Sequence, residues 1–387
     1  KYSGVEWIGE IPDKWNLVRL KDICINKKEV AGEKSSEYER LALTLNGVIK
    51  RPKDDQEGLQ PKEFDTYQIL EENDFVFKMI DLQNISTSRV GLSPYTGLVS
   101  PAYIRFASKK KGQFNEFIHY YLLSLWHNCV YNNIAGDGVR SALNATDMGN
   151  LKCPYPTEDQ QRKIAGFLNK KTAEIDSLIE IENQQIEKLK EYKQAVITET
   201  VTRGLDKKVP LKDSGVEWIG KIPEGWSIQK VLYQLSMPVT DGPHTTPELQ
   251  PEGVAFVSAE AVSCGNGGID FSHIRGYITE EFYQECCLKY IPEIDDVYMI
   301  KSGATTGRVS IVTTLEPKFT IWSPLAVMRC YKNKMVPKFL YYAVQSEQFQ
   351  RQVALGWSFG TQQNLGMRTL EQLKLIIPAL SEQKDIA

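Results

Sequence analysis

A thirteen-residue phrase occurs twice in this chain. SGVEWIGEIPDKW occupies residues 3–15 and SGVEWIGKIPEGW residues 214–226, with ten positions identical at an offset of 211. Repetition at a fixed offset constrains the fold more than any local propensity, because both copies must build the same unit. A second pair of phrases closes the repeat. PTEDQQRKIA (156–165) and PALSEQKDIA (378–387) share the frame P-x-x-x-x-Q-x-x-I-A at an offset of 222. Just upstream, Leu151 matches Leu373, Leu143 matches Leu365 and Gly138 matches Gly360. Between the phrases, NDFVFKMIDLQNISTSRVGL (73–92) resembles DDVYMIKSGATTGRVSIV (295–312), each placing an arginine, Arg89 or Arg308, after a Ser/Thr-rich turn. SPAYIRF (100–106) parallels SPLAVMR (323–329). The 387 residues therefore read as two homologous units, the second eleven residues longer in its interior.

Each unit reads as a short entry segment, a β-rich globule and a long helix, an α+β organisation. Strands are expected at 75–80, 102–106, 254–258, 297–301, 308–312 and 325–330, which are β-branched or aromatic and bounded by turn residues. Apolar spacing near 3.6 predicts helices over 114–128 and 337–354. From 158 to 203 the chain has no proline and only Gly166. Leu168, Ile175, Leu189 and Val196 share one heptad position, Ile164, Leu178, Ile179 and Ile186 widen the stripe, and charges fill the other faces. This predicts a coiled-coil rod of roughly 65–70 Å. Gly204 is the expected C-cap, ahead of a polar linker, 205–213. The domain plan is a first globule at 1–157, the central helix at 158–204, the linker, a second globule at 214–377, and the start of a second long helix at 378–387. The apolar seam of the long helix needs a partner, either the remainder of that second helix, absent after Ala387, or a surface of another subunit, and a start at Lys1 rather than Met is consistent with missing first residues. Trp7, Trp15, Trp218 and Trp226 belong to the repeated phrases and read as packing anchors.

The search for reaction chemistry finds little. Seven scattered cysteines without C-x-x-C suit reduced thiols of a cytoplasmic protein, and the four histidines show no metal-ligand spacing. No apolar run reaches the length of a membrane span. The sequence has no phosphate-binding P-loop, no G-x-S-x-G and no H-E-x-x-H. CPYP (153–156) is not the tetrapeptide of an adenine methyltransferase. Asp295, Asp296, Glu316 and Lys318 fit the loose acid-then-E-x-K frame of a metal-dependent nuclease, without a counterpart in the first repeat. That leaves a stand-alone nuclease as one alternative reading, and a coiled-coil assembly scaffold without DNA as another.

Recognition chemistry is better represented. The net charge of −3 gives no global attraction to nucleic acid, so contacts must come from local patches. In the first repeat the candidates are Lys50, Arg51 and Lys53; Lys78, Asn84, Ser86, Thr87, Ser88 and Arg89; and Arg140. A triplet, Lys109–Lys111, is a further basic cluster. In the second repeat they are His244, Thr245 and Thr246; Lys301, Ser302, Thr305, Thr306 and Arg308; and Thr361, Gln362 and Gln363. Arg and Lys bridge phosphates or a guanine edge, Asn and Gln pair with adenine, and Ser and Thr fit either.

The duplicated entry phrase, the TETVTRGL that closes the long helix (198–205) and the P-x-x-x-x-Q-x-x-I-A that opens it together resemble the specificity subunit of type I restriction–modification enzymes, over essentially the whole chain. The resemblance implies two target-recognition domains, each reading half of a split DNA target, joined by long helices that pair as an antiparallel coiled coil and set the spacer. It implies a non-catalytic chain without a cofactor of its own. Its partners would be double-stranded DNA, two modification subunits using S-adenosylmethionine to methylate adenine, and restriction subunits, a motor–nuclease using ATP and Mg. Physically, a pseudo-two-fold chain suits two half-sites on one duplex.

Overall fold

The computed structural model describes residues 1–55, 63–80, 82, 87–135, 142–359 and 363–387. The chain forms two compact units, Lys1–Glu180 and Ile181–Ala387. Both are built on the same plan, and the repeated phrases explain why.

The entry phrase folds identically in both copies. In the first, the Val5 amide donates to Ser3 Oγ at 3.2 Å and the Gly9 amide to the Val5 carbonyl at 3.0 Å. In the second, Val216 donates to Ser214 Oγ at 3.1 Å and Gly220 to the Val216 carbonyl at 3.0 Å. The turn needs left-handed backbone at both ends, with φ of +71° at Gly4 and +65° at Gly9, and +69° at Gly215 and +70° at Gly220. Only glycine adopts this without a steric cost, which accounts for both repeated glycines. The chain then enters each globule through an antiparallel strand pair: Asn16–Arg19 with Lys152–Tyr155, and Ser227–Lys230 with Lys374–Ile377.

Inside the first globule, one sheet runs in the order Cys24–Asn26, Ile104–Ser108, Phe75–Phe77, Val90–Leu92. A second runs Gly47–Arg51, Arg40–Thr44, Gly97–Val99, Gln68–Leu70. The second globule repeats both. Its four-stranded sheet is Thr240–Asp241, Leu325–Met328, Val297–Ile300, Val309–Ile311, and its three-stranded sheet is Tyr277–Ile278, Val254–Val257, Phe319–Ile321. Among the described residues each globule has one parallel pairing, Arg40 with Leu98 and Ala255 with Phe319, at matching places. The central strands are buried on both faces, so they read as continuous apolar runs rather than alternating ones. Phe75, Phe77 and Phe106 anchor the first core and Val297, Met299 and Phe339 the second. Each such side chain contributes about 1.5–3 kcal/mol by leaving water.

The long helix runs Glu158–Arg203, as the sequence predicts, and the reason for its opening frame is visible. Gln161 and Gln383 are both buried, and each turns its amide back to the proline that opens its phrase: Gln161 Nε2 to the Pro156 carbonyl at 2.9 Å, Gln383 Nε2 to Pro378 at 3.1 Å. That bond satisfies a carbonyl just outside the helix and holds the entry angle. Ala165 and Ile164 pack into the first core, and Val201 into the second. At the other end, the Gly204 amide closes on the Thr200 carbonyl at 2.9 Å with φ +78°, the expected cap. Leu168 is half-buried, whereas Ile175, Leu178, Ile179, Ile186, Leu189 and Val196 are exposed. The helix Leu380–Ile386 starts at the matching place in the second repeat.

Several expectations are corrected. The helix expected over 337–354 is two, Pro337–Ala343 and Glu347–Leu355, because Ser346 leaves the helical backbone and caps the second by accepting from the Phe349 amide. The strands expected over 75–80 and 308–312 shorten to Phe75–Phe77 and Val309–Ile311, and the one at 102–106 shifts to Ile104–Ser108. The linker at 205–213 is not wholly irregular, since Leu211–Asp213 pairs with Lys221–Pro223. Of the four tryptophans, Trp226 is buried and donates Nε1 to Glu382 Oε2 at 2.9 Å, and Trp15 packs edge-on to Phe117. Trp7 and Trp218 are each 42% exposed, so they are not core anchors.

Candidate nucleic-acid interface

In the second globule the fold gathers three segments that the sequence keeps far apart. The turn after Val297–Ile300 is tightened by bonds from the Thr306 hydroxyl to the Gly303 carbonyl at 2.7 Å and from the Arg308 amide to Thr305 at 3.2 Å. The Gly303 amide donates to the Gln363 carbonyl at 3.1 Å, and the Leu365 amide to Lys301 at 2.7 Å. This joins the 301–308 turn to the short hairpin of Ser358–Phe359 and Gln363–Asn364. Gly307 packs against Gln350, whose Nε2 reaches its carbonyl at 2.9 Å, and a Cβ there would come within 2.5 Å of Gln350 Oε1. Arg308 is exposed, its guanidinium resting 3.4 Å from the Ser263 carbonyl. Ser302, Thr305 and Thr306 are half-buried and Gln363 is exposed.

The loop that follows Thr240–Asp241 joins this group through a buried carboxylate. Asp241 is fully buried, and Lys289 Nζ, Lys301 Nζ (3.3 Å) and His244 Nε2 (3.2 Å) converge on it. Burial presses the Asp241 carboxyl upward, but the bond from Lys289 and the charges of Lys289 and Lys301 outweigh it and hold the group below its ordinary range. His244, Thr245 and Thr246 are exposed, whereas the Lys301 side chain is only 10% exposed. Lys301 therefore acts from within as a counter-ion, and the expectation of a direct contact is corrected for it. Lys289 does not stand out in sequence, because what brings it to Asp241 is the position of a helix end far along the chain.

The first globule builds the same junction. The Leu143 amide donates to the Met79 carbonyl at 3.1 Å, the counterpart of Leu365 and Lys301. Lys78 Nζ reaches Thr87 Oγ1 at 3.1 Å. Ser88 and Arg89, however, are buried: the Ser88 hydroxyl bonds the Val90 carbonyl at 2.7 Å, and Arg89 Nη1 the Ile80 carbonyl at 3.3 Å. As placed they support the turn from inside and present nothing to a duplex, which corrects their assignment as contacts. The basic cluster at 50–53 is engaged too. Lys50 pairs with Glu39 at 2.5 Å, Arg51 with Asp55, and Lys53 donates to the Ser35 carbonyl at 2.7 Å. Asn84, Ser86, Arg140, Thr361 and Gln362 lie outside the described residues.

The family model for the type I restriction modification DNA specificity domain matches residues 12–191 and 250–387, one match in each repeat. The chain belongs to the type I restriction–modification DNA specificity family. Curated relatives agree. A protein of Methanocaldococcus jannaschii described as a type I restriction enzyme MjaX specificity subunit is 25% identical over 98% of this chain and 87% of its own length. The MjaVIII specificity subunit of the same organism is 22% identical over 97% of this chain and 85% of its own. A solved structure, described as the basis of complex assembly and conformational transition of a type I R-M system, matches with a TM-score of 0.61 at 16% identity, over 97% of this chain and 89% of that one. It shares the fold.

Within this specificity-family fold the nuclease-like frame does not form one site. Asp296 is taken by Arg329 at 2.7 Å and by the Tyr290 hydroxyl, Asp295 by Lys332 at 2.7 Å, and Lys318 by Glu280 at 2.6 Å. Nothing in the comparisons supports a nuclease. Among the described residues, no helix is long and apolar enough to cross a membrane.

Proposed function

We propose that each globule of this DNA specificity subunit reads one half of a split duplex target, through the edge marked by the Leu143–Met79 bond in the first and the Leu365–Lys301 bond in the second. The observation that carries this is the repeated junction: the backbone bonds recur while the residues mounted on it differ. Different side chains on the same mount favour two unlike half-sites. Arg308, Ser302, Thr305, Thr306, Gln363, His244, Thr245 and Thr246 serve the second half-site, and Lys78 and Thr87 the first. The exposed stripe of the long helix takes a second, antiparallel helix and docks two modification subunits. The chain itself carries out no reaction: S-adenosylmethionine belongs to the modification subunits, and ATP and Mg to the restriction subunits.

The test is to sequence modified adenines in cells expressing this chain with its modification subunit, against cells lacking only this chain. The expected result is a split motif that disappears with the chain; identical methylomes would refute the reading. Inserting one heptad into the 158–203 helix lengthens it by about 10.5 Å, on the order of three base pairs of duplex. The spacer should change and both half-sites persist. An unaltered spacer would remove the helix from the role of ruler.

A further inference from the structure

A buried carboxylate such as Asp241 is an unfavourable way to hold a loop in place. Burying a charge costs several kcal/mol, and an ion cluster of this kind is seldom more stabilising than apolar packing. It also lies outside the repeated frame. Asp241 pairs with Ala326, which corresponds to Ile104 in the first globule. Continuing the register from Asn26 opposite Phe106 places Lys28, of opposite charge, at the equivalent position.

The groups around Asp241 come from three separate elements. Lys289 follows the helix Glu280–Cys287, Lys301 immediately follows the strand Val297–Ile300, and His244 sits in the loop after Asp241 itself. The loop is pressed against the sheet at Gly242, where a Cβ would come within 2.0 Å of the Ile321 carbonyl oxygen, so its path is fixed. The side chain of Lys301 is 10% exposed, that of Lys289 48% and that of His244 71%. Lys301 thus lies inside, and Lys289 and His244 reach solvent along the edge that carries Thr245. A hollow of about 210 Å³ opens beside them, lined by Thr245 and Lys289, with Glu285 also on its wall.

We propose that Asp241 is a positioning residue for DNA binding: it fastens Lys289 and His244 into a fixed pair that grips one backbone phosphate of the bound duplex, with Lys301 as the inner counter-ion. This rests on the DNA-reading function proposed above. Lys289 supplies the phosphate contact and His244 the second donor, and neither reads a base. The cluster therefore sets the register of the second globule on its half-site.

The test uses the full chain assembled with its modification subunits, and equilibrium binding to a mixed-sequence DNA duplex and to the methylated target over a range of salt. Asp241→Asn removes a buried negative charge and so raises the local net charge by one. If Asp241 were a bystander, that change would tighten binding and steepen the salt dependence. Positioning requires the opposite, a loss of about tenfold, comparable to removing a specific contact. Lys289→Gln should weaken both duplexes alike and lower the slope of log K against log salt by about 0.9. Tighter or unchanged binding by a folded Asp241→Asn complex overturns the proposal. So does an unchanged slope in Lys289→Gln, a variant of a half-exposed side chain that keeps the test decisive if Asp241→Asn fails to fold. An unmodified complex that binds neither duplex would refute the DNA-reading function itself, and this inference with it.

Discussion

Arg89 and Arg308 occupy the same place in two copies of one fold and do opposite things. Each immediately precedes the second strand of its hairpin, and each accepts a backbone bond from the strand before: Lys78 to Arg89 at 3.0 Å, Ile300 to Arg308 at 2.8 Å. Yet Arg89 is fully buried and Arg308 is exposed. The connections differ, twelve residues from 78 to 89 against nine from 300 to 308, so the two side chains leave matched backbones into different surroundings. Recurrence in sequence locates a backbone position. It does not say which way the side chain points.

The same contrast holds for a second pair of arginines. Asp74 and Asp296 begin equivalent strands, and each follows a residue with left-handed backbone, Asn73 at φ +66° and Asp295 at φ +78°. Asp74 is met by Arg105, fully buried, at 2.5 Å; Asp296 is met by Arg329, whose side chain is 22% exposed. The two arginines stand two positions apart on their strands, because Phe75 faces Phe106 and Val297 faces Met328, so that Arg105 precedes the matched position and Arg329 follows it. The largest expected effect follows. Arg105→Met strands a buried carboxylate and should cost about 3–5 kcal/mol, read as a lower unfolding midpoint. Arg329→Met should cost less, because Asp296, though fully buried, keeps the bonds from the Tyr290 hydroxyl and the Glu293 amide. Equal losses would break the comparison.

A pH scan sharpens it. Burial is the main influence on Asp74 and holds its carboxyl above the ordinary value despite Arg105. The folded state therefore binds more protons than the unfolded one between those two values, and the contribution of Asp74 to stability falls as pH rises through that window. Removing Arg105 should widen the window, so the variant should recover part of its stability on mild acidification. A variant whose deficit is independent of pH would exclude Asp74 as the source.

Next in size is the tryptophan pair. Trp226→Ala removes a buried ring that Gly204 overlies and whose nitrogen is bonded to Glu382, and should cost about 3–5 kcal/mol. Trp15→Ala empties a half-buried site against Phe117 and should cost distinctly less in the same denaturation experiment. The smallest stability effect is expected for Arg308→Ala, within about 0.5 kcal/mol, but methylation of the native target should fall. Arg89→Ala should instead destabilise by about 2 kcal/mol. Unchanged methylation in Arg308→Ala would remove that residue from the interface.

Much of the frame was legible in the sequence. The long helix was readable because 46 residues free of proline carry a heptad stripe and end in glycine. The central strands were readable because they are short apolar runs between turn residues. The break at Ser346 was not, since a serine in an apolar-periodic stretch is neutral until its hydroxyl finds the Phe349 amide. Gln161 and Gln383 were visible as repeated letters, but their bonds to the Pro156 and Pro378 carbonyls were not. The interface was legible as a set of loops and illegible as a set of contacts. The convergence on Asp241 depends on Lys289 and Lys301, tens of positions away.

The strand pairs Asn16–Arg19 with Lys152–Tyr155 and Ser227–Lys230 with Lys374–Ile377 bring the two ends of each interior side by side. Whatever lies between them is a closed loop hung from a clasp. Closing a longer loop costs only slightly more entropy than closing a shorter one. An interior can therefore be lengthened, shortened or exchanged outright while the two points at which it joins the frame stay where they are, and a chain of this kind can take on a new DNA vocabulary while keeping its grammar.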